Sequence, residues 1–296
     1  MKNTSIFIYV YYKVGIIKVL QIIGSINILL LLAYITLKYL SFIFGGLNIY
    51  LLIRPIKKKL RFFEVWRYFV LSWSFGLLFP GKIGEFSLIY FLRKEKIPYS
   101  KGLAISIIDK ALTLIVLFIF GILGMAIFLK NMIIPTTIIF ILIILTTIYI
   151  VYVDKVFENL IKHIIKKKIK YIIEVKKEIK NYIKKHSNLI IINLIITAIK
   201  WIFTALTISV LFLGFNVKVS IINVISIQSI STIISMIPIT VSGIGITESA
   251  GIYLYGLVGI PYSVSGSLFI IALFVTYLIG ALNFLFLFKR NKKKFI

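Results

Sequence analysis

The chain of 296 residues predicts an all-α polytopic membrane protein with two inverted repeats, each holding a re-entrant broken helix pair, for five full spans plus two hairpins. Three observations predict it. Hydrophobic residues make up 60% of the chain and mean hydropathy is +1.05, against roughly 45–50% apolar residues in an ordinary soluble domain. Five apolar runs, 27–53, 102–128, 132–152, 188–212 and 262–288, reach the ~20 residues that a helix needs to cross a hydrocarbon core of about 30 Å. Two further apolar stretches, 65–92 and 220–260, are each cut by Pro and Gly. The runs are continuous rather than alternating, and spanning backbone must satisfy its own polar groups, so helices are predicted.

Residues 1–26 form a short apolar or interfacial segment. Lys2 precedes an apolar run over 6–12, but no small-residue cleavage site follows and Lys13 and Lys18 come at once, so this is not a signal-peptide pattern. Residues 27–128 form the first repeat. Short basic loops mark cytoplasmic ends of spans, and four occur: 54–61 (RPIKKKLR), 93–101, 154–185 and the tail 289–294. The stretch 65–92 lies between two of them, so a single crossing is excluded. Pro80, Gly81, Lys82, Ile83 and Gly84 divide it into pieces too short to cross twice. A hairpin that enters and leaves on the cytoplasmic side remains. Pro removes a backbone donor, Gly permits a turn, and irregular backbone at this depth must be buried in protein or face water.

Residues 132–152 form a connecting span that inverts the second half of the chain relative to the first. Residues 154–187 predict a cytoplasmic amphipathic basic helix, because Leu160, Ile161, Ile164, Ile165, Ile169, Ile172, Ile173, Ile179 and Ile183 recur at helical spacing among lysines. Such a helix lies on the cytoplasmic leaflet, where each lysine attracts anionic lipid by about 1 kcal/mol. Residues 188–288 form the second repeat, and 289–296 the basic cytoplasmic tail of a multi-pass cell-membrane protein. The 188–212 helix leaves the cytoplasm and 262–288 returns to it. The stretch 220–260, broken by Pro238, Ser242, Gly243 and Gly245, therefore enters from the opposite face.

The repeat is visible in the residues. Glu85 and Glu248 lie 163 positions apart, and the same offset carries Ile89-Tyr90 onto Ile252-Tyr253 and the IPYS at 97–100 onto the IPYS at 260–263. Thr113 falls on Thr276. Inverted repeats with helices broken at the midplane are the architecture of many secondary transporters.

Charge and residue types narrow the chemistry. The net charge of +26 is concentrated between apolar runs, a pattern that reads a membrane surface and not nucleic acid. No cysteine occurs, and the two histidines, His163 and His186, share one Lys-rich loop. Thiolate chemistry is excluded, and neither a His-based metal site, a cofactor nor enzymatic activity is expected. Membrane lipids are the expected partners, with anionic head groups at the Lys-rich helix; a homo-oligomer stays open.

An ionisable group inside a span costs roughly 2.5–3.5 kcal/mol on insertion scales, so each is a functional candidate. The candidates are Lys82, Glu85, Asp109, Lys110 and Glu248, with Pro80, Gly81, Gly84, Pro238, Ser242, Gly243 and Gly245 shaping the breaks. In one reading these residues line a polar cavity. Lys82 and Lys110 would attract phosphate, while Glu85, Asp109 and Glu248 would contact a cationic group, carry a proton or hold the lysines. In the other, each Glu caps its half-helix and the Asp109–Lys110 pair snorkels. The equivalent placement of the two glutamates favours a shared cavity. The aromatic residues read as lipid-facing or interfacial.

Residues 78–114 (LFPGKIGEF through IIDKALTL) and 236–269 (MIPITVSGIGITESAG through SGSLF) resemble the two signatures of the lysylphosphatidylglycerol synthase transmembrane, flippase-like, family. Pro80, Gly81, Lys82, Gly84, Glu85 and the Asp109-Lys110 pair match the first, and Pro238, Ser242, Gly243, Gly245 and Glu248 the second. The chain departs from the family at Leu88, where a basic residue is frequent, and over 270–274, which lacks a charge. In the best-known relatives this domain moves an aminoacylated phospholipid between leaflets. The resemblance implies a flippase or transporter of a phospholipid or lipid-linked head group, rocking two inverted units around Lys82, Glu85 and Glu248. The soluble aminoacyltransferase domain of those relatives has no counterpart in these residues, so synthesis of aminoacyl-lipid is not expected of this chain alone. The alternatives are an intramembrane lipid-group transferase using Glu85 and Asp109, and a non-transporting accessory subunit of a lipid-modifying enzyme.

Overall fold

The computed structural model describes residues 27–128, Ile138 and 169–285. The expectations for residues 1–26, for the connecting span 132–152 beyond Ile138, for 154–168 and for the tail 289–296 fall outside the described residues.

Among the described residues the chain forms nine α-helices and one 3₁₀ turn. They are α1 (Ile28–Ile53), α2 (Phe62–Gly76), the 3₁₀ turn Ile83–Ser87 running into α3 (Leu88–Lys94), α4 (Tyr99–Phe128), α5 (Ile169–Lys185), α6 (Ser187–Gly214), α7 (Ile221–Ser235), α8 (Ile246–Leu257) and α9 (Tyr262–Asn283). Four of them, α1, α4, α6 and α9, are long and apolar enough to cross a membrane. At 1.5 Å per residue they are about 33–45 Å long. They coincide with four of the five predicted runs. The stretches 65–92 and 220–260 become paired short helices, α2 with α3 and α7 with α8, each under the ~20 residues of a span.

Local chemistry sets the helix starts. The Asn27 side chain accepts the Leu29 N–H at 2.8 Å, capping α1. The Glu64 carboxylate reaches back to the Arg61 N–H at 3.3 Å and closes the first turn of α2. Both IPYS copies start a long helix at their Tyr, directly after a Pro that has no N–H to leave unsatisfied there. The 163-residue offset extends to element bounds: Tyr99 opens α4 and Tyr262 opens α9, while the 3₁₀ turn begins at Ile83 and α8 at Ile246.

The spine of the bundle is α1 against α6. Ser41 bonds Thr204 at 2.9 Å between hydroxyls, and the Asn48 amide donates to the Thr197 hydroxyl at 2.9 Å. As the number rises on one helix it falls on the other, so the two run antiparallel. Asn193 donates to the Asn48 carbonyl at 2.9 Å, and Asn48, Asn193 and Thr197 are fully buried. Helices in lipid gain little from the hydrophobic effect on pairing, so interhelical hydrogen bonds and small residues supply the contact. Gly46 is one such residue, since a Cβ there would sit 3.0 Å from the Cα of Trp66 on α2. Around this spine α2 packs on α9 and α7 on α4. The first arm of each hairpin therefore leans on the closing long helix of the other half.

Two apolar clusters flank the spine. One joins the end of α1 to α2, α3, α4 and α5, and the other joins the start of α1 to α6, α8 and α9. The first cluster changes the reading of the basic helix. Val175, Ile179 and Tyr182 of α5 are buried against Ile53, Ile105 and their neighbours, and the Tyr182 hydroxyl donates to the Leu52 carbonyl at 3.0 Å. Lys177, Lys180, Lys184 and Lys185 point outward. In the described part of this helix Val175, Ile179 and Tyr182 are covered by protein, while Tyr171 and Ile173 stay exposed. Amphipathic spacing specifies a buried face without specifying what buries it.

Replacing Asn193 with Ala is expected to lower the stability of the detergent-solubilised protein by about 1–2 kcal/mol, the range of interhelical hydrogen bonds in membranes. A thermal-unfolding midpoint that does not move would remove the Asn48–Thr197–Asn193 network from the contacts holding α1 to α6.

Candidate functional site: a charged cavity between two helix breaks

The two breaks meet. The Phe79 carbonyl accepts the Ser242 N–H at 3.1 Å, and Pro80 and Val241 form an antiparallel bridge. Phe79 and Ser242 are themselves 163 positions apart. Sharp left-handed turns make this approach geometrically available: φ is +58° at Gly81, +80° at Gly243 and +85° at Gly245. Two residues with side chains, Lys82 at +58° and Ser242 at +51°, also take the left-handed region, which is uncommon outside Gly and clusters at functional sites. Gly84 is fixed by proximity, since a Cβ there would fall on the Phe75 carbonyl.

The sequence-predicted residues divide into two groups, with Asp109 apart from both. Pro80, Gly81, Gly84, Pro238, Gly243 and Gly245 build the breaks and contribute backbone. Lys82, Glu85, Lys110, Ser242 and Glu248 line one central cavity of about 240 Å³. Asp109 is 3% exposed and faces a second small pocket beside Ser72 and Ser106.

The two glutamates, equivalent by position, do different work. Glu85 forms an ion pair with Lys110, whose ammonium also lies 3.4 Å from the Asp109 carboxylate. Gly76 on α2 leaves room for Glu85, because a Cβ there would come within 2.6 Å of its Cγ. Glu248 sits in the first turn of α8 and accepts the Gly245 N–H at 2.5 Å, the capping role weighed for both. Capping is thus realised at one glutamate and ion pairing at the other.

Sequence reasoning passed over two charged residues that line the same cavity, Lys38 in the middle of α1 and Lys200 in the middle of α6. Both interrupt apolar runs and fall under the same cost rule that singled out Lys82. Lys38 stands 5.5 Å from the ring of Trp73, and Lys200 5.8 Å from that of Trp201, close enough for cation–π attraction. Some aromatic residues depart from expectation, while others, such as Phe63, Tyr253 and Phe274, are exposed. Tyr34, Phe91, Phe212 and Tyr255 are buried, and the Tyr277 hydroxyl donates to the Leu77 carbonyl at 2.8 Å at the edge of the cavity. Polar tips on several rings find partners inside the protein, which draws those rings away from lipid.

Membrane-length helices around a charged cavity, with two interrupted helix pairs meeting at its edge, define a polytopic α-helical membrane protein with a polar site among its helices. The chain belongs to the lysylphosphatidylglycerol synthase TM region family, which matches residues 4–282. That membership ties it to membrane-lipid modification. No curated protein and no solved structure matches the chain.

Removing Lys110 strands two carboxylates. Lys110→Met is expected to destabilise the protein by about 1.5–3 kcal/mol, less than for a fully buried pair because the Lys110 side chain is 28% exposed. The Lys110→Met, Glu85→Gln double variant should recover a large part of that loss. A double variant as unstable as the single one would show that Glu85 does not depend on Lys110.

Proposed function

We propose that the protein is a lipid flippase or head-group transporter, carrying a phospholipid or lipid-linked head group across the cell membrane through the cavity between its broken helix pairs. The observation that carries this reading is the cavity itself, with charged side chains held at the junction of two backbone breaks. Charged groups inside a helical bundle are costly and mark substrate or ion pathways. Discontinuous helices at the repeat interface are where transporters of this architecture place their sites.

The inverted-repeat reading has its own support. In a pair of units related by a twofold axis, a residue on the axis touches its own counterpart. Ser41 with Thr204 and Phe79 with Ser242 are both pairs 163 apart in sequence, and both are hydrogen-bonded to each other. Because α1 and α6 are antiparallel, an axis relating them runs across the helices, in the plane of a membrane that they span. The basic segment 54–61 and helix α5 then belong to the cytoplasmic side under the positive-inside rule.

Two measurements test the proposal. The sequence contains no cysteine, so single cysteines at Thr113, Thr232 and Thr276, all lining the cavity, report water access from each side by reaction with an impermeant thiol reagent. Gly81 and Gly243 are unsuitable positions because a side chain there meets a left-handed backbone. At least one cysteine should react in folded protein. In proteoliposomes, translocation of a head-group-labelled phospholipid should exceed the protein-free rate and fall by about tenfold or more in Glu85→Gln, the loss of one charge-assisted hydrogen bond. Translocation at the protein-free level, with all three thiols silent from both faces, would leave an accessory role in its place.

A further inference from the structure

Four lysines and two glutamates line the cavity, leaving two positive charges in excess; counting Asp109 behind the wall leaves one. The balance of free groups is more one-sided than this count. Glu85 is engaged by Lys110, and Glu248 by the Gly245 backbone. Lys38, Lys82 and Lys200, by contrast, have no carboxylate within 4 Å and no hydrogen-bond partner among the described residues. All three are half-buried, so they face the cavity without being sealed. They arrive from three separate elements, α1, the first break and α6. Lys82 lies within electrostatic reach of Lys38, Lys110 and Lys200, and also of Glu85 and Glu248; Lys200 also feels Asp109 and Glu85.

In this partly dehydrated space Lys82 is repelled by Lys38 and by Lys200, and an anion placed among them relieves that repulsion. We infer that Lys38, Lys82 and Lys200 form a seat for a phosphate-bearing, net-anionic group, and that the cavity disfavours a cationic aminoacylated head group. The cation is disfavoured because four lysines outnumber the two glutamates of the wall, with Glu85 paired to Lys110 and Lys82 within reach of both Glu85 and Glu248. This inference rests on the lipid-transport reading for its substrate and adds the sign of its charge. The seat also differs from the Lys82–Lys110 pair that the sequence suggests, because Lys110 is committed to Glu85.

The phosphate could belong to a lipid or to a free anion, and the test separates them. Purified protein in neutral detergent at physiological salt is titrated with phosphatidylglycerol, phosphatidylcholine, lysylphosphatidylglycerol, and inorganic phosphate. The thermal midpoint and the tryptophan fluorescence are both read, since Trp73 and Trp201 stand beside two of the lysines. Phosphatidylglycerol should raise the midpoint and change the fluorescence, and the other two lipids should do so much less. In Lys38→Gln, Lys200→Gln the apparent affinity should fall about tenfold or more, the effect of losing charge-assisted contacts, while Lys38→Arg, Lys200→Arg keeps it. The exposed lysines of α5 are unchanged in both variants, so a loss confined to the Gln variant is not surface attraction. If the double variant does not fold, the two single Gln variants are read in its place. A response to inorganic phosphate equal to that of phosphatidylglycerol supports the seat and assigns it to a soluble anion.

Lysylphosphatidylglycerol binding as tightly as phosphatidylglycerol, or a Gln variant with unaltered affinity, overturns the inference. Translocation in proteoliposomes is scored separately. Lipid movement without anionic preference defeats only the charge assignment, whereas anionic binding through these lysines without movement defeats only the transport reading.

Discussion

One backbone hydrogen bond, from the Ser242 N–H to the Phe79 carbonyl, closes the two helix breaks on each other. Lipid offers no partner to an interrupted helix, so irregular backbone at membrane depth survives only where protein or water supplies one. Here each break supplies partners to the other. The left-handed glycines, the short arms of both hairpins and the close seat of Gly84 under the Phe75 carbonyl serve that encounter. The cavity is the space beside it, and its charged lining sits where two otherwise unfavourable stretches of chain stabilise each other.

Equivalent positions in the two halves have diverged in chemistry while keeping their place. Glu85 lies in a 3₁₀ turn and holds a lysine, whereas Glu248 lies in a regular helix and holds a backbone N–H. Lys82 has Gly245 as its counterpart 163 residues on. The first break therefore brings a cation to the cavity where the second brings a turn at the matching position, and the lining is electrically lopsided.

The long helices were legible because their apolar runs are unbroken, and the breaks because Pro and Gly stand where a span would need neither. The recurrence of IPYS and of a glutamate at one spacing was legible as a pattern of residues. The contact between the two breaks was not, since no local signal tells Phe79 that its partner is Ser242. Lys38 and Lys200 were hidden by their neighbours: a single lysine barely changes the hydropathy of a window filled with Ile, Leu and Phe, yet its desolvation cost is undiminished. For α5 the apolar spacing revealed an amphipathic helix, but only the fold showed that Val175, Ile179 and Tyr182 are the residues it buries, with Ile173 left exposed.

The antiparallel pairing of α1 with α6 carries a mechanical consequence. These helices come from different halves of the chain and are cross-linked along their length by Ser41–Thr204 and Asn48–Thr197, while α2 leans on α9 and α7 on α4. Halves interlaced in this way have no clean seam to part along. A clamshell hinge would have to tear the spine and both crossed arms at once. If the protein moves lipid as proposed, a movement that spares them is a sliding or tilting of the hairpin arms along an α1–α6 mast to which both halves of the chain contribute.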